Sequence, residues 1–214
     1  MKVFVIGANG QIGQHVVELL QDHDQHTPVA MVRKQQQAES FEEKGVETVI
    51  ADLEGTVDEI AKAAKGCDAI VFTAGSGGHT GADKTLLIDL DGAVKAVEAA
   101  EMAGIRRFLL VSALQAHRRE NWNEQIKPYY VAKHFADKMV EQSSLTYTII
   151  RPGGLLNEKG TGNIRVSEDI RSGSIPREDV ARTIVAALDE ENTYYKAFDL
   201  ISGDLPIKDA LHNL

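Results

Sequence analysis

The chain has 214 residues, a formal net charge of −9 and a single cysteine, Cys67. A chain of this length can bury a sizeable core in one domain, and a lone cysteine rules out an intramolecular disulfide, which fits a reducing compartment. The acidic balance, with no basic stripe, argues against nucleic acid as a partner, and no apolar run approaches the ~20 residues that cross a bilayer.

Met1 leads straight into the apolar run Lys2–Ile6, so no leader peptide is expected and the protein reads as cytoplasmic, with no membrane partner. Gly7-Ala8-Asn9-Gly10-Gln11-Ile12-Gly13 follows, and Ile12, Val16, Leu19 and Leu20 then recur at helical spacing. Strand, glycine-rich turn and helix are the context that a dinucleotide fingerprint requires. Gly7 turns the chain out of the strand, Gly10 lets the backbone approach a pyrophosphate, and Gly13 lets the helix lie close on the sheet. The expected phosphate-binding set is Gly7, Asn9, Gly10, Gln11, Ile12 and Gly13, helped by the free N–H groups and positive dipole end of the helix.

Residues 29–32 read as a buried strand that ends at Arg33 and Lys34. A carboxylate about 20 residues past the glycines would accept from a ribose 2′-OH and select NAD. Arg33 and Lys34 stand there instead, and a guanidinium suits a 2′-phosphate, so NADP is the expected cofactor, with NAD possible. The competing reading is a solvated pair of loop residues. Residues 35–44 read as a helix closed by Gly45, and 46–51 as a third strand ending at Asp52 and Leu53. Asp52 either meets the adenine amino group or caps the following turn.

Residues 57–65 read as a helix and 68–72 as the fourth strand, with Cys67 between them as a packing residue. The small loop 73–78 follows, where Ala74 and Gly75 can lie against the cofactor. Residues 84–103 read as one long helix with Leu86, Leu87, Leu90, Val94 and Val97 on its apolar side, and 105–111 as the fifth strand, leading to Ser112. Pro128 suits the first position of a helix over 129–142, which puts Tyr129 and Lys133 on one face; Tyr130 and His134 form a competing pair one residue on. Residues 146–150 are the sixth strand, ending at Arg151-Pro152-Gly153-Gly154. A short strand at 163–166, a helix over 176–188, a last strand at 197–201 and a short terminal helix after Pro206 complete the chain. The seven scattered histidines offer no pair at the spacing of a helical zinc site, so no metal is expected. The alternation implies an α/β fold, a doubly wound parallel sheet flanked by helices, as one domain over 1–214 with 151–214 as a small substrate-side region.

In GANGQIG (7–13), VRK (32–34), ADL (51–53), TAG (73–75), VSA (111–113), YYVAK (129–133), RPGGL (151–155) and PREDVA (176–181), the sequence resembles the short-chain dehydrogenase/reductase superfamily. The resemblance is to its atypical NAD(P)-binding branch, akin to NmrA-like and epimerase/dehydratase-like proteins, and it implies a Rossmann-type sheet. It also implies that Ser112, Tyr129 and Lys133 work together. Lys133 would lower the phenol pKa and hold the nicotinamide ribose, Ser112 would bind a substrate carbonyl, and Tyr129 would move the proton. Pro152 and Gly153 would lie near the nicotinamide, since ligands gather at the carboxyl ends of the strands. The segment 114–127 reads either as a substrate loop, where His117, Arg118, Arg119 and Trp122 meet an anionic or planar ligand, or as a solvated lid. The implied function is an NADP(H)-dependent oxidoreductase of a small carbonyl, quinone or flavin-like substrate. The alternatives are an NmrA-like redox sensor without turnover and an NAD-dependent epimerase or dehydratase.

Overall fold

Val3, Phe4, Val5 and Ile6 are all buried, so the first strand, β1 (Lys2–Ile6), is apolar on both faces. Such a strand belongs at the centre of a parallel sheet covered on both sides. The computed structural model, which describes residues 1–78 and 80–214 (His79 lies outside the described residues), places it there. β2 (Thr27–Val32) and β3 (Glu47–Ile50) lie to one side of β1. On the other side follow β4 (Ala69–Phe72), β5 (Arg107–Val111), β6 (Thr146–Pro152) and β10 (Lys196–Ser202). All seven run parallel. Two antiparallel strands, β8 (Asn163–Ser167) and β11 (Leu205–Pro206), extend the far edge.

One face is covered by α1 (Gln11–Gln21), α2 (Gln35–Glu42), α7 (Arg177–Ala187) and α8 (Ile207–His212), whose apolar residues join one core cluster. The other face carries α3 (Val57–Ala63), α5 (Gly92–Ala103) and α6 (Lys127–Gln142), packed into a second cluster that includes Cys67. The doubly wound α/β sheet expected from the sequence is therefore the fold. No described helix is long and apolar enough to cross a membrane.

Two details depart from the sequence reading. The helix expected over 84–103 is not a single α-helix: α4 (Ala82–Lys84) runs into a π-helical segment, Thr85–Asp91, before α5. There the N–H of Gly92 bonds the carbonyl of Leu87, five residues back instead of four. The wider turn rotates the helix face, so that Leu86 and Leu87, expected on the apolar side, are 49% and 40% exposed, while Thr85, Ile88 and Asp89 are buried. Secondly, β7 (Gly154–Leu156) and β9 (Ser174–Pro176) form a small separate parallel pair. At three residues each they are too short for periodicity to reveal.

Candidate functional site

The turn between β1 and α1 is shaped by its glycines, for different reasons. Gly7 has a φ of +87°, and a Cβ there would lie 2.6 Å from the backbone nitrogen of Ala74. A Cβ on Gly13 would overlap the carbonyl oxygen of Gly7 and the backbone of Ala8. The fold itself demands both. Gly10 differs: its φ of −74° and ψ of 163° are open to any residue, and its Cβ would meet only the Gly7 oxygen, at 3.2 Å. That position leaves space above the turn. The first N–H groups of α1 point into the same space, with no acidic residue in the first turn and no side-chain cap. Open space, unpaired donors and a positive helix end together fit a pyrophosphate. Thr73 ties the turn to the neighbouring loop, donating through Oγ1 to Ile6 (3.0 Å), so 7–13 and 73–78 form one floor.

Arg33 and Lys34 are exposed just beyond the carboxyl end of β2. Their backbone N–H groups donate to Oε1 of Gln37 at 3.1 and 3.2 Å, and neither side chain forms an ion pair among the described residues. Asp52 accepts from the N–H of Glu54 (3.0 Å) and closes a turn, and Leu53 is buried, with its Cδ1 3.3 Å from where a Cβ of Gly92 would be. Ala74 is partly exposed, and Gly75 lies over Asp89, whose Oδ1 would be 3.2 Å from an added Cβ. Pro152 and Gly153 lie at the end of β6, enclosed by chain: the Pro152 carbonyl accepts from Leu114 and the Gly153 N–H donates to Leu200. A Cβ on Gly153 would overlap the carbonyl of Gly173, so packing alone accounts for that glycine.

Lys133 links Tyr129 to the end of β5, where Ser112 follows Val111. Ser112 follows β5, with its N–H held by the Ile150 carbonyl (2.8 Å); its Oγ is buried beside the Asp137 carboxylate, without a close hydrogen bond among the described residues. Lys133 lies one turn along α6 from Tyr129, with Nζ 5.7 Å from the centre of the phenol ring. The competing pair is engaged elsewhere. Tyr130 stacks on Trp122, and both His134 Nδ1 (2.9 Å) and Trp122 Nε1 (3.1 Å) meet the Ala116 carbonyl. The segment 114–127 is accordingly strapped down: His117 meets the Glu168 carbonyl, Arg118 faces Asp169 at 3.6 Å, and Arg119 lies over Trp122 and Phe135. The side chains expected to reach a ligand from that segment are held by the protein instead.

Sequence reasoning missed the buried acids. Lys133 Nζ lies 3.1 Å from Asp89 Oδ1 and donates to the Val111 carbonyl at 3.2 Å. Asp137, one turn further along α6, pairs with Arg151 at 2.8 Å and lies beside Ser112, while Glu141 faces the same arginine at 3.5 Å. The four-residue spacing of Tyr129, Lys133, Asp137 and Glu141 was a readable signal. For Asp89 there was none, because the π-helical turn puts it inside. Burial pushes the Tyr129 phenol above its ordinary pKa, and Asp89 adds to the rise against the opposing charge of Lys133. Burial disfavours the Lys133 ammonium, but Tyr129 and Asp89 outweigh it and hold its pKa above the usual lysine value. No group of three or more His, Cys, Asp or Glu side chains among the described residues is placed to bind a metal.

The chain matches the NAD(P)H-binding family over residues 7–191. It is 65% identical to an uncharacterized sugar epimerase of Bacillus subtilis over 214 residues, all of both chains. A Bacillus halodurans protein assigned by its name to the NAD-dependent epimerases/dehydratases has a similar structure, with a TM-score of 0.93 and 43% identity over the whole of both chains. The anaerobilin reductase of Escherichia coli O157:H7 superposes with a TM-score of 0.81 at 26% identity, covering 96% of this chain and 98% of that one.

Proposed function

The chain belongs to the NAD(P)H-binding family, and from that premise we propose that it is an NADP(H)-dependent oxidoreductase acting on a small carbonyl, quinone or flavin-like compound. The observation that carries this reading is Lys133, whose Nζ lies 5.7 Å from the centre of the Tyr129 ring and meets the carbonyl of Val111, the residue before the buried Ser112. A bound nicotinamide supplies hydride transfer to or from carbon. The chain's own residues do the rest. The turn over Gly7, Asn9, Gly10, Gln11, Ile12 and Gly13 holds the pyrophosphate through backbone N–H groups, and Arg33, with no acidic partner, pairs with a 2′-phosphate. Ala74 and Gly75 lie under the cofactor, Asp52 and Leu53 flank the adenine, and Pro152 and Gly153 close the nicotinamide end. Ser112 donates a hydrogen bond to the substrate oxygen while Tyr129 delivers its proton there. The whole chain acts as one domain, with residues 151–214 supplying the substrate-side wall. The reductase name of the E. coli neighbour supports this direction of chemistry.

The names of the two Bacillus proteins favour a second reading, an epimerase that oxidises and re-reduces one substrate on a retained nucleotide. A panel of carbonyls, quinones and flavins separates the readings. Tyr129→Phe keeps the ring but loses the acidic oxygen, so NADPH oxidation should fall by about 10²–10⁴ while NADPH affinity holds. Nucleotide that stays bound through purification, with no net NADPH oxidation across the panel, turns the assignment to the epimerase. No oxidation and no retained nucleotide turns it to a dinucleotide sensor.

A further inference from the structure

Asp89 is 1% exposed and Lys133 3%, two ionisable side chains buried in the core where the floor of the cofactor site meets α6. The carboxylate is held by a hydrogen bond on one oxygen and by an ion pair on the other. Oδ1 faces Lys133 Nζ at 3.1 Å, and Oδ2 accepts the N–H of Ser76 at 3.0 Å, so the loop after β4 and α6 are joined through one side chain. The ammonium is fixed in turn by the Val111 carbonyl, next to Ser112. Asp89 itself sits on the π-helical segment that packs against α6. Burying an ion pair costs solvation of both ions and gives weak or no net stability, so stability alone is a poor reason for this one.

The charges facing the phenol decide what it can do. Lys133 lies beneath its ring, Asp89 faces Lys133 from the π-helical segment, and Asp137 and Tyr130 stand on its own helix, with Asp137 already matched by Arg151. An isolated ammonium so close would favour a phenolate, whereas an ammonium paired at 3.1 Å exerts only the residual field of the pair. We infer that Asp89 is a positioning residue that pins Lys133 and cancels its charge, so that Tyr129 serves the site as a proton-donating phenol and not as a base. The inference rests on the oxidoreductase reading and gives it a direction, reduction. In that direction the phenol O–H bond breaks as the substrate oxygen gains the proton, hydride from the reduced nicotinamide completes the C–H bond, and solvent returns the proton to the phenolate. Burial and Asp89 already hold the Tyr129 pKa above its ordinary value, in keeping with that role.

The test needs no substrate. The ultraviolet absorbance of tyrosinate is followed against pH, and the Tyr129→Phe protein, titrated alongside, isolates Tyr129 from the other four of the five tyrosines. Asp89→Asn should lower the ionisation of Tyr129 by about one to three pH units, the range for an unmatched neighbouring charge. Asp89→Glu, which keeps the charge, should hold it high. An unmoved Tyr129 in Asp89→Asn overturns the inference. Should Asp89→Asn not fold, Asp89→Ser, which also removes the charge, takes its place: a lowered Tyr129 ionisation supports the inference and an unmoved one overturns it. A silent substrate panel beside a shifted titration would instead remove the oxidoreductase reading and leave the role of Asp89 standing.

Discussion

The glycine turn between β1 and α1 contains no charged side chain, whereas the corner between β5 and α6 buries two ion pairs, Asp89–Lys133 and Asp137–Arg151. Both lie at the carboxyl edge of the same sheet. The turn prepares for an anion by leaving room above Gly10 and exposing backbone donors, and its shape is fixed by what is missing at Gly7 and Gly13. The corner does the reverse: it fills its space with groups that are costly to bury and holds each by a partner. A site built from backbone tolerates motion of side chains around it. A site built from buried charges ties its stability to its geometry.

Four changes would break or sharpen that contrast. The largest effect should come from Arg151→Met, which strands the Asp137 carboxylate and should cost about 3–5 kcal/mol in denaturant unfolding. A loss below ~1 kcal/mol, as for an exposed pair, would mean that water reaches the corner and the contrast is false. Next come two glycines of the turn. Gly13→Ala forces a methyl into the Gly7 carbonyl and should destabilise by ~3 kcal/mol, the upper part of the usual range for overpacking. Gly10→Val should leave the melting temperature almost in place and remove NADPH binding, measured by calorimetry. If Gly10→Val binds NADPH normally, the space above the turn is not the phosphate site. The smallest effect is Arg33→Ala, which should weaken NADPH by about 1.5–3 kcal/mol, roughly tenfold to a hundredfold, and leave NADH unchanged. Equal loss for both dinucleotides would place Arg33 away from the 2′-phosphate.

The same contrast explains what could be read from the sequence. The turn was legible because its seven residues are contiguous and flanked by a strand and a helix whose periodicities differ. Tyr129 and Lys133 were legible as a pair on one helical face, but choosing them over Tyr130 and His134 needed the fold, which gives the second pair to Trp122 and Ala116. The charged corner draws on residues 89, 112, 133, 137 and 151; helical spacing links only 133 and 137, and no local pattern brings in the other three. The loop 114–127 misled for a related reason. Its polar composition suggested a ligand or solvent, and its side chains find Glu168 and Asp169, far along the chain, and Phe135 on the adjoining α6.

The π-helical segment Thr85–Asp91 has a consequence for how the corner came to be aimed. A turn that closes five residues back holds more chain than an α-helical turn covering the same ground. Take out a single residue there, and α4 could run into α5 as unbroken α-helix, with everything upstream of the cut swung by about 100° about the axis. Asp89 would leave Lys133, and a neighbour would take its bearing. The segment works like the vernier on an instrument, where one added division shifts the whole scale. What points the carboxylate at the lysine is a count of residues, a property that belongs to no side chain.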